Sequence, residues 1–148
     1  MLKYFFIILL LFKPLLAEEI SITLEHAVTQ KERAKGLMGR FGLGKDHGMT
    51  FNYPATEKIS IWMYNTLIDL DVAFLDENQM IQEIHTLKAH PQITDPQFFM
   101  KNGVTSTYPS RYALEMSNGW FKAHGINPGD QVLWEINSPH GKVIKFKP

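Results

Sequence analysis

The apolar residues of this chain come in short runs that alternate with polar residues, and turn-forming residues separate the runs. Residues 20–25 alternate strictly, and residues 71–76 and 80–85 each contain apolar residues and lie on either side of a three-residue polar turn. Alternation with a period of two is typical of half-buried strands, and two such runs around a short turn predict a hairpin. Further strands are predicted at 48–53, 58–63, 111–116, 131–136 and 142–147, with a turn at Pro54 between the first two of these.

Two short segments have the signals of a helix. Thr29 and Glu32 form a capping-box pattern, in which the threonine caps the first turn and the glutamate bonds back to it. A glycine-rich loop is expected from about Gly39, because closely spaced glycines end a helix early. Ser117 can cap a second helix at 118–124. The fold class predicted is α+β, mainly β: a single compact antiparallel barrel-like sheet with two short helices.

The first 17 residues have the layout of a secretory signal peptide. Lys3 precedes an apolar run at 4–12, and Ala17 offers a small residue for cleavage. The run is much shorter than the roughly 20 residues that span a bilayer. The protein is therefore expected to be exported, periplasmic or secreted, and to meet the membrane only through this segment before cleavage. An uncleaved N-terminal anchor is the alternative.

Residues 18–148 are predicted to form one domain, in which 88–109 is a long irregular loop without periodicity. The chain has no cysteine, which excludes disulfides, thiol nucleophiles and thiolate metal sites. Without residues 1–17 it has 13 basic and 15 acidic residues, a formal charge of −2. This balance gives no electrostatic footprint for nucleic acid or for an anionic membrane.

Arginine is rare, with three arginines against twelve lysines. A guanidinium is a rigid fork of donors that lysine cannot replace, so the three positions suggest fixed structural or ligand-binding roles. Arg33 is interpreted as a charge at the exposed start of a helix. For Arg40 and Arg111 two interpretations stay open: an internal pair with a carboxylate such as Asp71 or Glu115, or an anchor for a ligand's carboxylate or phosphate.

Several separated motifs resemble the domain of unknown function family 192, over about residues 22–136. They are Glu32-Arg33-x-x-Gly36-Leu37-Met38-x-Arg40, Gly48-Met49-x-Phe51, Trp62-Met63-x-Asn65-Thr66-Leu67-x-x-Leu70-Asp71, Arg111-Tyr112-x-Leu114-Glu115 and Gly125-x-x-x-Gly129-Asp130. The resemblance implies a small, compact, mainly β domain of a kind often exported by bacteria and archaea, with no established activity, cofactor or substrate. The chain departs from the family pattern at Tyr64, commonly a lysine, at Asp69, commonly a proline, and in lacking a cysteine pair.

The central hypothesis is a monomeric protein that binds a small polar or anionic ligand. Trp62 would supply an apolar wall, Asn65 and Thr66 neutral hydrogen bonds, and an arginine the anchor for a negative group. The alternative for this segment is structural, with Trp62 covering the core and the polar side chains pinning a bend. The ligand-binding residues predicted are Arg40, Met49, Trp62, Asn65, Thr66, Asp71 and Arg111.

Three other functions are open alternatives. A hydrolase acting on an envelope component would use Asp71 as its base, although the sequence has no recognisable catalytic motif and leaves enzymatic activity undecided. A copper-binding protein would use thioether and imidazole ligands. A structural or interaction protein would have all its arginines paired internally. No cofactor is predicted, and the weak metal-ligand candidates are His47, Met49, His85 and His90.

Overall fold

The protein is described by a computed structural model, which covers residues 17–146. Within this range the chain forms nine strands and three short helices, so the α+β, mainly β class is confirmed. The strands are β1 Ala17–Ala27, β2 His47–Glu57, β3 Ser60–Ile61, β4 Leu70–Leu75, β5 Ile81–Leu87, β6 Val104–Thr105, β7 Ser110–Ser117, β8 Gln131–Trp134 and β9 His140–Phe146. The helices are α1 Gln30–Lys35, α2 Pro96–Asn102 and α3 Trp120–Ala123.

Seven of the described strands form one curled sheet in the order β5-β4-β7-β2-β1-β9-β8, and β3 and β6 form a small separate pair. The two edge strands meet at one end through a bridge between Met80 and Gln131. There the amide of Ile81 donates to the carbonyl of Asp130 at 2.9 Å. The sheet is therefore a half-barrel closed at one end, as the barrel-like prediction requires.

The sheet is mixed, which corrects the prediction that it is purely antiparallel. β1 and β2 run parallel, while all other neighbouring strands of the sheet pair antiparallel. Parallel strands need a long crossover, and residues 28–46, which include α1, supply it. The capping box that starts α1 is confirmed: the amide of Glu32 donates to Thr29 Oγ1 at 3.2 Å, and the amide of Thr29 donates to Glu32 Oε2 at 2.8 Å.

Strand alternation divides the buried residues between the two faces of the sheet. On β7, Leu114 and Met116 enter a barrel core, whereas Ala113 enters an outer core. β4 alternates likewise, since Ala73 belongs to the barrel core and Phe74 to the outer core. The outer core also includes Leu37, which follows α1, Phe99 of α2 and Ile61 of the β3–β6 pair. This outer layer positions the site described below.

The sequence analysis predicted an irregular loop at 88–109, but this stretch is only partly irregular. It contains α2 and β6. The Asp95 side chain accepts from the amide of Gln97 at 3.0 Å, and Pro96 stands in the first turn, where its missing N–H costs nothing. Phe99 then packs into the outer core. Asp-Pro followed by an apolar pair is a helix start that the absence of longer periodicity concealed.

The sequence analysis predicted a turn at Pro54 between two strands, but Pro54 lies within a single strand. β2 continues from His47 to Glu57, and its register against β7 shifts between Asn52 and Glu57. A proline is tolerated at such an irregularity because no ladder hydrogen bond is required from its nitrogen.

The predicted signal peptide lies outside the described residues except for Ala17, which begins β1 and pairs with Phe146. Cleavage after Ala17 stays a prediction. Within residues 17–146, no helix is long and apolar enough to span a membrane.

Candidate functional site

A cavity of about 420 Å³ opens between α1, the end of β2 and the chain that follows β3. Its apolar walls come from Leu37, Phe51 and Trp62, and Thr66 lines it beside the indole. Glu115 of β7 lines it as well. Because Glu115 belongs to a central strand of the sheet, its side chain forms the floor.

Glu115 has unusual surroundings for a carboxyl group. Its neighbours across the sheet are Met49 on β2 and Val72 on β4, both buried and apolar. The residue is only 4% exposed, and no residue within 17–146 makes a hydrogen bond or ion pair with its carboxyl group. Every fully occluded side-chain oxygen or nitrogen of the described chain has a hydrogen-bond partner. The carboxyl oxygens of Glu115 must therefore border the accessible space of the cavity.

Burial raises the pKa of Glu115 to about 8. At pH 7 the group is therefore mostly protonated and uncharged. In this form it offers one O–H donor and one carbonyl acceptor to whatever lies in the cavity.

Arg33 stands at the rim of the same cavity. Its Nη1 donates to the carbonyl of Asn52 at 2.9 Å and also to the carbonyl of Val28. The guanidinium lies over the ring of Tyr53, 4.7 Å from the centroid. The other guanidinium nitrogens can still donate hydrogen bonds to a ligand, because these two carbonyls bind only Nη1.

Several charged groups around the cavity shift the pKa of Tyr53. Burial raises the pKa of the Tyr53 phenol; Arg33 opposes this shift, and Glu57 and Glu115 add to it. Glu57 also lines the cavity. Residues of α1, β2 and β7 thus form one electrostatic cluster around a partly apolar space.

The wall opposite α1 is held by a tight turn. Asn65 has a positive φ of 52°, which this residue type tolerates, and the amide of Thr66 donates to the carbonyl of Met63 at 3.1 Å. The amide of Gly39 donates to the carbonyl of Asn65 at 2.9 Å, joining the loop after α1 to this turn. The rings of Trp62 and Tyr64 pack 5.6 Å apart, which holds the indole at the cavity wall.

Of the seven predicted ligand-binding residues, Trp62 and Thr66 line the cavity and five do not. Met49 is buried in the outer core, and the Asn65 side chain is exposed at the turn. The five outside the lining are Arg40, Met49, Asn65, Asp71 and Arg111.

The two arginines predicted to grip the Trp62 segment lie elsewhere. Arg40 forms a two-pronged pair with Glu25 at 2.9 and 2.7 Å, and its side chain is 41% exposed. Arg111 lies near the ring of Tyr112, 5.9 Å from the centroid, and lines a second cavity of about 260 Å³ that shares Arg33 and Tyr53 with the first. It precedes Glu115 by four positions on β7, a spacing of about 13 Å.

Asp71 has a structural environment. Its carboxylate accepts hydrogen bonds from Thr86 Oγ1 at 2.9 Å, from Asn118 Nδ2 at 2.9 Å and from the amide of Gly119 at 2.8 Å. These donors belong to β5 and to the turn that follows β7. Asp71 therefore ties β4 to both neighbouring segments, and the geometry gives no support to its role as a catalytic base.

The four weak metal-ligand candidates are dispersed. His47 begins β2, and Met49 is buried in the outer core. His85 shares a hydrogen bond of 2.9 Å with Glu83, and the ring of His90 packs against Phe98. Within residues 17–146, no group of three or more histidine, aspartate or glutamate side chains is placed to hold a metal ion.

The sequence analysis missed five titratable groups of the cavity: Arg33, Lys35, Tyr53, Glu57 and Glu115. It treated Arg33 as an exposed helix charge and Glu115 only as a partner for an arginine. A signal for Glu115 was present, because an acidic residue within an apolar run of a predicted strand is seldom buried without a reason. Only the structure shows that its carboxyl group has no partner among residues 17–146.

Comparison with known proteins places this architecture in a family. The DUF192 family, described as Uncharacterized ACR, matches residues 15–134. A search of curated proteins found no match. Two solved structures resemble the chain with a TM-score of 0.65 each.

The first is a "putative transcription regulator" from Sinorhizobium meliloti 1021, 34% identical over 74% of this chain and 79% of that one. The second is a protein of unknown function from Novosphingobium aromaticivorans DSM 12444, 30% identical over 80% of this chain and 85% of that one. The family match covers most of the chain, and the identities over these lengths agree with it. The resemblance inferred from the motifs is thus confirmed, and the chain belongs to the DUF192 family.

Proposed function

We propose that this protein is an exported domain that binds a small polar or anionic ligand in the cavity between α1 and β7. The observation that carries the proposal is Glu115, a buried carboxyl group that borders the cavity and has no protein partner within residues 17–146. A buried polar group without a partner is costly, so such a group usually serves a function.

The form of the cavity supports the same proposal. Its volume of about 420 Å³ lies within the range of about 300–1,000 Å³ typical of small-molecule sites. Trp62 and Leu37 give it apolar surface, and Arg33, Thr66 and Glu115 converge on it with polar groups. This combination of apolar walls and a few oriented polar groups is characteristic of ligand pockets.

Binding can be tested by native mass spectrometry of the protein purified from the envelope of its source organism. We expect a small molecule to accompany the wild-type protein. Glu115→Leu removes the floor carboxyl and Trp62→Ala removes the wall, so both variants should lose the molecule. Glu77→Leu, which changes an exposed acid in the β4–β5 turn, is the matched control and should keep it.

Two results would contradict the proposal. One is a wild-type protein that carries no small molecule. The other is a copurified molecule retained equally by Glu115→Leu and Trp62→Ala.

Export is proposed from the N-terminal sequence. Cleavage after Ala17 would leave Glu18 opposite Lys145, so nearly all of the β1–β9 pairing would survive processing. The mass of the protein recovered from the periplasm or the medium should correspond to a chain beginning at Glu18. Recovery of the full-length chain in the membrane fraction would favour the uncleaved anchor.

No comparable observation favours the alternatives. The Asp71 carboxylate accepts three hydrogen bonds within the fold, which weakens the hydrolase hypothesis. The dispersed histidines give no support to the copper hypothesis. The Sinorhizobium meliloti protein is described as a "putative transcription regulator", but the balanced charge of this chain offers no basic footprint for nucleic acid.

A further inference from the structure

The charge that a ligand brings to this cavity is constrained by the groups that line it together with Glu115. Helix α1 contributes the cations Arg33 and Lys35, β2 contributes Tyr53 and Glu57, and the neighbour of Glu115 on β4 is the apolar Val72. The chain after β3 contributes Trp62 and Thr66, which carry no charge.

The protonation state of Glu115 decides whether the cavity lining has a net positive charge. Burial raises its pKa to about 8, so the side chain is mostly neutral at pH 7. The lining then holds two cations and one ionised carboxylate, that of Glu57. A cationic ligand would add to this positive excess, whereas an anionic ligand would cancel it.

The hydrogen-bond donor that Glu115 offers restricts the class of ligand further. A protonated carboxyl presents an O–H, and a ligand carboxylate accepts such a donor in a short, charge-assisted hydrogen bond. Trp62 offers a flat apolar surface for the body of the ligand, next to this polar floor.

We infer that the cavity takes a carboxylate-bearing ligand, with one ligand oxygen accepting the O–H of Glu115 and with Arg33 and Lys35 balancing its charge. This inference rests on the proposed function, because it names the ligand class of the same cavity. Binding requires the protonated form of Glu115, so it depends on pH. The ligand affinity should be constant from about pH 6 to 7 and fall as the pH rises through 8.

The test uses three probes that share one ring and differ in charge: benzoate, benzamide and benzylamine. Titration calorimetry on the full mature chain at pH 7 should detect binding of benzoate in preference to the other two. At pH 9 the affinity for benzoate should be roughly tenfold lower, because about a tenth of Glu115 is then protonated. Measurements at pH 9 in buffers of different ionisation heat should show uptake of nearly one proton per benzoate.

Variants separate the carboxyl of Glu115 from other pH effects. Glu115→Gln keeps a neutral donor, so it should bind benzoate with little change in affinity between pH 7 and 9. Glu115→Leu should abolish binding. Lys35→Gln should weaken the binding of benzoate several-fold, and Glu57→Gln should strengthen it, since these changes shift the charge of the lining in opposite directions.

The failures of the two proposals are distinguishable. Benzylamine binding that tightens with pH and releases a proton would overturn the carboxylate inference while supporting the cavity as a ligand site. Equal affinities for benzamide and benzoate would also overturn it, and so would failure of all three probes to bind. The proposed function is judged separately, by whether a copurified molecule depends on Glu115 and Trp62.

Discussion

Two carboxyl groups on neighbouring strands, Asp71 on β4 and Glu115 on β7, are buried almost equally and have opposite environments. Their exposures are 5% and 4%. The carboxylate of Asp71 accepts three hydrogen bonds, whereas that of Glu115 has no partner among residues 17–146 and borders a cavity. Burial alone therefore does not reveal the role of an acid; its hydrogen-bond partners do.

The register of the strands explains the difference. Asp71 lies opposite Met116, near the end of β7, where the following turn supplies Asn118 and Gly119 as donors. Glu115 lies opposite Val72, on the other face of the sheet, where its cross-strand neighbours are apolar. One acid is thus satisfied by a turn, and the other faces a space that a ligand can enter.

The largest expected effect is the loss of the Asp71 carboxylate. Asp71→Leu leaves three donors without their acceptor, and should lower the free energy of unfolding by about 3 kcal/mol or more. Glu115→Leu removes a buried polar group that has no partner among residues 17–146, and should change the free energy of unfolding at pH 7 by less than about 1 kcal/mol, or increase it. Urea unfolding followed by tryptophan fluorescence measures both, and equal losses in the two variants would remove the contrast.

The second effect is a dependence of stability on pH that comes from Glu115. The folded state holds the proton up to about pH 8, while the unfolded chain releases it near 4.5, so the folded state binds more protons between these values. The contribution of Glu115 to stability is fully present below pH 4.5 and is lost as the pH rises to 8. The slope is at most about 1.4 kcal/mol per pH unit.

Urea unfolding at several pH values should show this slope in the wild-type protein and in Asp71→Asn, but not in Glu115→Gln. A slope that persists in Glu115→Gln would assign it to other groups.

The fold was largely predictable from local pattern. The hairpin of β4 and β5 and the capping box of α1 depend on residues close in sequence, and both are confirmed. The parallel pairing of β1 and β2 was not predicted, because it depends on how the crossover through α1 packs. The helix α2 was missed because its signal is only an Asp95-Pro96 start and one buried aromatic residue, Phe99.

The site was predictable only in part. Trp62 and Thr66 were identified because an aromatic residue followed by polar turn residues is a local pattern. Glu115 was missed because its significance depends on what β2, β4 and α1 place around it. Arg33 was interpreted as an exposed helix charge but lies at the cavity rim, whereas Arg40, for which an internal pair and a ligand anchor both stayed open, pairs with Glu25. Sequence spacing does not show which of two nearby guanidiniums turns toward β2.

The smallest expected effects compare these two arginines. Arg33→Lys loses the fork that holds two backbone carbonyls and packs over Tyr53, and should cost about 1–2 kcal/mol of unfolding free energy. Arg40→Lys alters an exposed pair with Glu25 and should cost less than about 1 kcal/mol. Only Arg33→Lys should also weaken benzoate binding, and a loss of binding in Arg40→Lys would show that the site extends beyond the cavity.

The account depends most directly on the protonation state of Glu115. Carbon-13 NMR of the glutamate side-chain carboxyl groups, recorded as a function of pH, measures this state, and the signal that disappears in Glu115→Gln identifies the residue. We expect this carboxyl group to titrate with a midpoint near pH 8. A midpoint for Glu115 at or below 4.5 would contradict it, because the carboxyl would then be ionised at neutral pH and could not donate a hydrogen bond to a ligand.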